Sequence, residues 1–344
     1  MSKSSNPRIL LPILGLLTSL LAPPVLAGEE INVYSARKED LIKPLLDTFS
    51  QQTGITVNLA TGKEEALLQR LQSEGANTPA DLLLTSDAGR LAAAQKTGVL
   101  QAVQSDTLNK NIPAAYRDPA GYWYGLSVRA RPILYAKSRV KPEQLSTYEA
   151  LAGPQWRGKL CLRSSDSVYN QSLVAGMIAH HGEAKTETWA KGLVANFARP
   201  PKGGDRDQIK AVAAGECDLT LTNTYYLGGM IHSSEPADQE AAAQVAVFWP
   251  DAKTTGVHVN VSGAGVTAHA RHRDHAIKLL EFLASDAAQR WYAETNHEYP
   301  VNPAIPPSAT LKAWGEFKAD TLNVAQLGEL NPAAVRLMDR AGWK

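Results

Sequence analysis

The sequence predicts an α/β protein of two lobes, on three observations. Short apolar runs with strand alternation take turns with segments whose apolar residues recur at helical spacing, the pattern of an α/β sheet. About 300 residues of this pattern exceed what one hydrophobic core usually holds. Two extended stretches without helix signals, near 126–134 and 256–266, lie where the chain would pass between lobes. A chain that crosses more than once is laid out like a hinged binder that closes over its ligand.

The N-terminus reads as a targeting segment. Lys3 and Arg8 frame the start of an apolar run over 9–21, and Val25-Leu-Ala27 places small residues at the two cleavage-recognition positions. This is the pattern of a secretory signal peptide over 1–27, which directs the rest of the chain to the periplasm. A membrane anchor is the alternative, but the run is short for a span and is broken by Pro12, Pro23 and Pro24. Removing Lys3 and Arg8 takes the formal net charge from +1 to −1. A near-neutral surface of mixed sign argues against nucleic acid and an anionic membrane as partners.

After the signal, 30–34 reads as a strand, 39–49 as a helix and 54–59 as a second strand. Residues 63–74 form a helical pattern with Leu67, Leu68 and Leu71 on one face. A third strand over 80–85 leads to a helix over 88–97 that ends at Gly98. Residues 122–128 and 131–135 are extended. A second α/β run follows, with strands at 158–163, 217–222 and 245–249 and a helix at 171–181. The stretch 255–267 is extended again, and 275–291 and 332–338 are helical. The first lobe is expected to hold 28–127 plus 260–308, and the second 132–255 plus 309–344. No internal repeat or low-complexity tract interrupts this order.

Cys161 and Cys217 are the only cysteines. In an oxidising compartment an even pair is a candidate disulfide. Two buried free thiols in neighbouring strands are the other reading. The spacing matches neither a CxxC redox pair nor a zinc site.

The candidate site starts from Tyr225 and Tyr226, which come just past the strand at 217–222. An α/β protein usually keeps its ligand site at such strand ends. Phenolate is a hard oxygen donor of the kind that a hard, highly charged cation selects. If the strand stops before them, both oxygens can point at one ion; in a continuing strand they would face opposite sides. The same pair also fits ordinary aromatic packing. The segment Arg199-Pro-Pro-Lys-Gly-Gly-Asp-Arg-Asp-Gln208 offers glycines for a backbone anion nest, but reads better as a loop that starts a helix at 208–214. His180-His181 and His272/His275 read as exposed helix histidines without a third ligand in register. No GxSxG elbow, kinase set or HExxH run is present, so a hydrolase reading has little support and the chain is expected not to be an enzyme.

Eight fragments in order then carry a resemblance. They are Val33-Tyr-Ser-Ala-Arg-Lys38, Thr78-Pro-Ala-Asp-Leu-Leu-Leu-Thr85, Tyr124-Gly-Leu-Ser-Val-Arg-Ala-Arg131, Trp156-Arg-Gly-Lys-Leu160, Arg163-Ser-Ser-Asp-Ser-Val-Tyr-Asn-Gln171, Asn223-Thr-Tyr-Tyr-Leu-Gly228, Ser262-Gly-Ala-Gly-Val266 and Glu298-Tyr-Pro-Val-Asn-Pro303. With them the chain resembles the periplasmic ferric-ion-binding proteins of ABC iron transporters over essentially its whole mature length. The resemblance implies a type II periplasmic-binding-protein fold, ligand capture between the lobes by a monomer, and delivery to an inner-membrane ABC permease. The family's paired tyrosine ligands fall on Tyr225 and Tyr226, and the third tyrosine used by one branch falls on Tyr169. Where other members place a histidine after the first strand this chain has Lys38, followed by Glu39. Ser86 stands in the place of the glutamate ligand; the neighbouring Asp87 could substitute for it but reads better as a helix cap. The match is therefore to the three-tyrosine branch.

Three phenolates would balance the three charges of ferric iron. A free tyrosine has a pKa of about 10, so the metal must displace each proton. The family fills the remaining coordination positions with a small anion such as carbonate, and arginine's planar fork suits such an anion. Arg37, in the loop after the first strand, is expected to hold it; a solvated loop arginine is the other reading. Of Arg129 and Arg131 on the presumed crossover, one is expected to close the cleft on the anion or to pair with a lobe carboxylate, with Arg129 slightly favoured as the anion contact. The rival reading is a receptor of the same fold for a small organic ligand such as a phosphonate, thiamine or a polyamine, with the tyrosines stacking on it.

Overall fold

The computed structural model describes Met1 and residues 29–344. Apart from Met1, the expected signal peptide lies outside the described residues.

The first half of the chain builds βα units. Strand β1 (Glu30–Ser35) is followed by α1 (Lys43–Thr53), which accepts Pro44 in its first turn and ends at Gly54 in the left-handed conformation, φ +77°. Strand β2 (Thr56–Thr61) leads to α2 (Glu64–Glu74), and the wholly buried β3 (Leu82–Thr85) leads to α3 (Ala88–Lys96). Helix α4 (Asp106–Asn111) starts where Ser105 Oγ accepts from the Leu108 amide. Strand β4 (Tyr124–Ala130) then passes almost directly into β5 (Ile133–Ala136).

The second α/β run holds α5 (Val168–His181), α6 (Glu183–Ala195), α7 (Asp205–Ala214), β6 (Leu219–Leu221), α8 (Thr224–Ile231), α9 (Pro236–Gln244) and β7 (Val245–Phe248). Strand β8 (Val259–Val266) returns, and α10 (Arg273–Leu283), α11 (Asp286–Thr295) and β9 (Tyr299–Pro300) follow it. The chain closes with α12 (Ala309–Lys312), α13 (Ala325–Glu329) and α14 (Asn331–Arg340).

These strands make two sheets. The larger has the order β2-β1-β3-β8-β4-β9, with β1 parallel to both neighbours and β8 antiparallel to β3 and β4. The smaller has the order β6-β5-β7 and is antiparallel. Strands β4 and β8 are buried at every residue, as expected for central strands covered on both faces. They remain paired up to Ala130 and Val259, and the Arg131 amide donates to the His258 carbonyl at 3.0 Å. The two extended stretches read from the sequence are thus neighbours that run together from one sheet toward the other. Cys161 and Cys217 are joined, with Cα atoms 5.8 Å apart. Helix α13 packs against both α3 and α5. Gly328 allows α13 to approach α3, since a Cβ there would collide with Ala92.

Several expectations need correction. The helix expected over 275–291 is two helices, because α10 stops and Ser285 starts α11 by accepting from the Ala288 amide. At 158–163 only Leu160 pairs, through single bridges to Leu219 and Phe197. Helices α4, α6, α8, α9, α12 and α13 have no counterpart among the expected elements. The buried face of α6 is Thr186, Trp189, Ala190 and Leu193, too mixed a stripe to stand out.

Candidate functional site

The strand before the paired tyrosines does stop. Strand β6 ends at Leu221, and Tyr225 and Tyr226 occupy the first turn of α8. Tyr169 occupies the first turn of α5. All three tyrosines are therefore carried by the first turns of helices, the ends whose dipole favours negative charge. The structure brings them together. The Tyr225 hydroxyl donates to the Tyr169 hydroxyl at 3.1 Å. The Tyr225 and Tyr226 rings lie 4.2 Å apart at 33°, and those of Tyr169 and Tyr226 lie 6.5 Å apart.

Burial pushes the Tyr225 phenol well above the usual tyrosine range, and the neighbouring Tyr169 and Tyr226 push it further. Tyr226 is raised by burial first and then by Tyr169 and Asp205. Without a cation Tyr225 and Tyr226 are therefore neutral phenols. The nearby positive charge comes from arginine. The Arg129 and Arg163 guanidinium carbons lie 5.2 and 5.3 Å from the Tyr169 ring centre, within cation–π range.

The three tyrosines, Arg37, Ser262 and Glu298 line one cavity of about 460 Å³. Arg37 is buried rather than solvated. Its Nη2 meets Glu298 Oε2 at 3.0 Å, and its Nη1 donates to Ser127 Oγ at 3.4 Å. Burial opposes the Arg37 charge, but Glu298, Tyr292 and Tyr225 outweigh it and the pKa is raised. Arg129 Nη2 pairs with Asp87 Oδ2 and its Nη1 donates to Ser262 Oγ, both at 3.2 Å. Both arginines expected to hold the anion thus already have carboxylate partners. Each keeps a buried Nε without a hydrogen-bond partner, as does Arg131, an open donor of the kind that an oxyanion satisfies; of the three, only Arg37 lines the cavity. Arg131 lies elsewhere, against Asp205.

Lys38 is exposed at the cavity wall. The Ser86 amide and hydroxyl both donate to Glu64 Oε1, at 2.9 and 2.7 Å. Asp87 caps α3 by accepting from the Gly89 amide at 2.8 Å. The glycine segment near 203 is the loop that starts α7, and Asp207 Oδ2 takes the Gly204 amide at 2.7 Å. Among the described residues no group of three His, Cys, Asp or Glu side chains converges as a metal site. The hard donors that do converge are phenolic.

The histidine reading needs correction. Only His180 is exposed, and each of the four has a partner: Asp320 for His180, Glu149 for His181, Asp81 for His272 and the Glu30 carbonyl for His275. His272 precedes α10 rather than lying within it. Residues not singled out from the sequence also shape the cavity. Glu298 holds Arg37, and His297, at φ +55°, stacks on His232 with ring centres 4.7 Å apart. Glu298 opens the last of the eight family-like fragments, but its pairing with a residue 261 positions away has no local signature.

Comparison with known proteins places these features in context. The family model for bacterial extracellular solute-binding proteins matches residues 45–319. Iron uptake protein A1 of Synechocystis sp. is 49% identical over 316 residues, covering 92% of this chain and 88% of that protein. The major ferric iron-binding protein of Neisseria meningitidis serogroup B is 27% identical over 328 residues, covering 94% and 95%. A Trichodesmium protein solved in complex with iron and citrate ligands superposes with a TM-score of 0.89 at 51% identity, covering 92% of this chain and all of that one.

Proposed function

Because this chain belongs to the bacterial extracellular solute-binding proteins, we propose that it captures ferric iron in the cavity between its two sheets and hands it to an ABC permease. It is a binding protein and not an enzyme, with the two-sheet α/β fold of periplasmic binding proteins. Tyr169, Tyr225 and Tyr226 ligate the ion as phenolates. The observation that carries this reading is the convergence of three phenols in one cavity, with two hydroxyls 3.1 Å apart. Hydroxyl oxygens at that distance can share one trivalent cation, which takes the place of their protons on loading. Relatives bearing iron in their names, at about half identity, support the same cargo.

A small oxyanion of the carbonate type completes the coordination, taken by the open Nε donor of Arg37 on the cavity wall, with Arg129 as the second contact. The chain acts as a monomer in the periplasm after cleavage near Ala27. Its first lobe holds 28–127 plus 260–308 and its second 132–255 plus 309–344, so the tyrosines and Arg37 approach the ion from opposite sides. Binding then favours the closed state by its differential affinity for it.

Equilibrium iron binding by Tyr169→Phe, Tyr225→Phe and Tyr226→Phe tests the reading. Each variant keeps the fold and loses more than about 100-fold in ferric affinity, beyond the loss typical of outer-shell changes. Three variants that bind like the parent sink it. Tight binding of thiamine, a phosphonate or a polyamine with no response to iron would establish the organic-ligand receptor instead.

A further inference from the structure

Arg131 is almost fully buried, at 1% exposure, and does not line the cavity. Its guanidinium bonds to side chains from three segments. Nη2 donates to Asn170 Oδ1 at 2.5 Å, and Nη1 to Asn223 Oδ1 at 3.1 Å and Asp205 Oδ1 at 3.4 Å. Asn170 directly follows Tyr169 at the start of α5, and Asn223 stands two residues before Tyr225 at the start of α8. One side chain therefore grips both tyrosine-bearing helix starts.

We propose that Arg131 is the positioning residue of the tyrosine site, tying α5 to α8 and so setting the spacing of the three phenols. The proposal rests on the reading that these phenols are the iron ligands.

Three observations support it. First, Asn223 occupies the N-cap position of α8, yet its side chain makes no capping hydrogen bond. An N-cap asparagine normally accepts from its own helix; here its oxygen serves Arg131. Second, both ends of the clamp are anchored. Asn170 Nδ2 donates to the Arg163 and Ser164 carbonyls at 2.9 and 3.2 Å, and Asp205 Oδ1 also accepts the Asn223 amide at 3.3 Å. Third, the Arg131 backbone is fixed at the crossing between the sheets. Its amide donates to the His258 carbonyl, and its carbonyl accepts from the Tyr148 hydroxyl at 2.6 Å. The clamp thus joins the crossing strands to the helix starts.

The chemistry requires arginine. A planar fork of five donors spans two amide oxygens and a carboxylate at once, which the compact lysine ammonium does not. Asp205 is shared between Arg131 and Arg163, and both Nη atoms of Arg131 are taken up within the clamp, so Arg131 acts here through geometry.

Arg131→Lys and Asn223→Ala test the proposal. The first keeps a cation against Asp205; the second cuts one arm of the clamp and removes no capping bond. Asn223→Ala is expected to unfold near the parent temperature, and Arg131→Lys at a lower one, since it leaves buried acceptors without a donor. With ferric nitrilotriacetate and bicarbonate, each should bind iron about 10- to 100-fold more weakly and shift the phenolate-to-iron absorption band. The double variant should bind no more weakly than Arg131→Lys alone, since one interaction is being removed twice. If Arg131→Lys does not fold, Asn223→Ala decides. Parent affinity and parent band in the folded variants overturn the proposal. A parent protein that binds no iron overturns the underlying reading instead. In that event, metal-free crystals of Asn223→Ala decide the clamp separately. Tyr169 and Tyr225 hydroxyls that have moved out of hydrogen-bond distance support it, and hydroxyls still at the parent separation refute it.

Discussion

Proton competition tests phenolate ligation quantitatively. Tyr225 and Tyr226 both have pKa values raised above that of an ordinary tyrosine, by burial first and by neighbouring phenols second. Both are therefore protonated at neutral pH, and each must release a proton to become a ligand. Each displaced proton adds one to the slope of the logarithm of affinity against pH. These two residues alone give a slope of about 2, so lowering the pH by about one unit weakens binding about 100-fold, or about 2.7 kcal/mol. Tyr225→Phe removes one of those protons and lowers the slope by about one. It also loses a hydroxyl hydrogen bond worth about 0.5–1.5 kcal/mol, too little to unfold the chain. The assay is competition against a chelator of known proton stoichiometry, at fixed bicarbonate, between mildly acidic and neutral pH. A flat profile refutes the reasoning, and so does an identical slope in parent and variant.

Arg37→Ala should weaken iron binding mainly when bicarbonate is present; titration with and without bicarbonate checks this, and equal losses would mark Arg37 as structural. Small-angle scattering should show a smaller radius of gyration with ferric iron and bicarbonate than without, whereas an unchanged value would mean that one lobe holds the ion alone. Reducing Cys161–Cys217, which closes a separation of 56 residues, should cost about 4 kcal/mol in urea unfolding; no change would mean that the bridge contributes nothing to stability. His258 is buried and its pKa is driven down to about 3, first by burial and then by Arg131 and Arg129. A depressed histidine pKa contributes stability that is present above the unfolded value of about 6.5 and lost as pH falls toward about 3, at up to ~1.4 kcal/mol per pH unit. His258→Gln should flatten that acid limb in urea unfolding, and an unaltered limb would show that His258 does not cause it.

Much of the first sheet was legible because its elements are local. Leu82, Leu83 and Leu84 form an apolar run short enough for a buried strand, and Asp87 stands where a cap belongs. Tyr225 and Tyr226 were legible as a pair, but their placement on a helix was not. Only three residues of β6 are extended before α8 begins, and a strand that short leaves little periodicity. The partners of the site were the least legible. Arg37 finds Glu298 across 261 positions, and Arg131 finds Asn223 across 92. Such pairs are set by how the sheets meet, and no spacing along the chain encodes them. The eight ordered fragments supplied what periodicity could not, because they marked Tyr169 as a partner of a pair 56 residues away.

The most direct measurement is the visible spectrum of the purified protein given ferric iron and bicarbonate. Phenolate ligation predicts a charge-transfer band in the visible range that the metal-free protein lacks, diminished or displaced in Tyr169→Phe, Tyr225→Phe and Tyr226→Phe. Stoichiometric iron binding without such a band, or a band indifferent to all three substitutions, would contradict the assignment of the tyrosines as ligands.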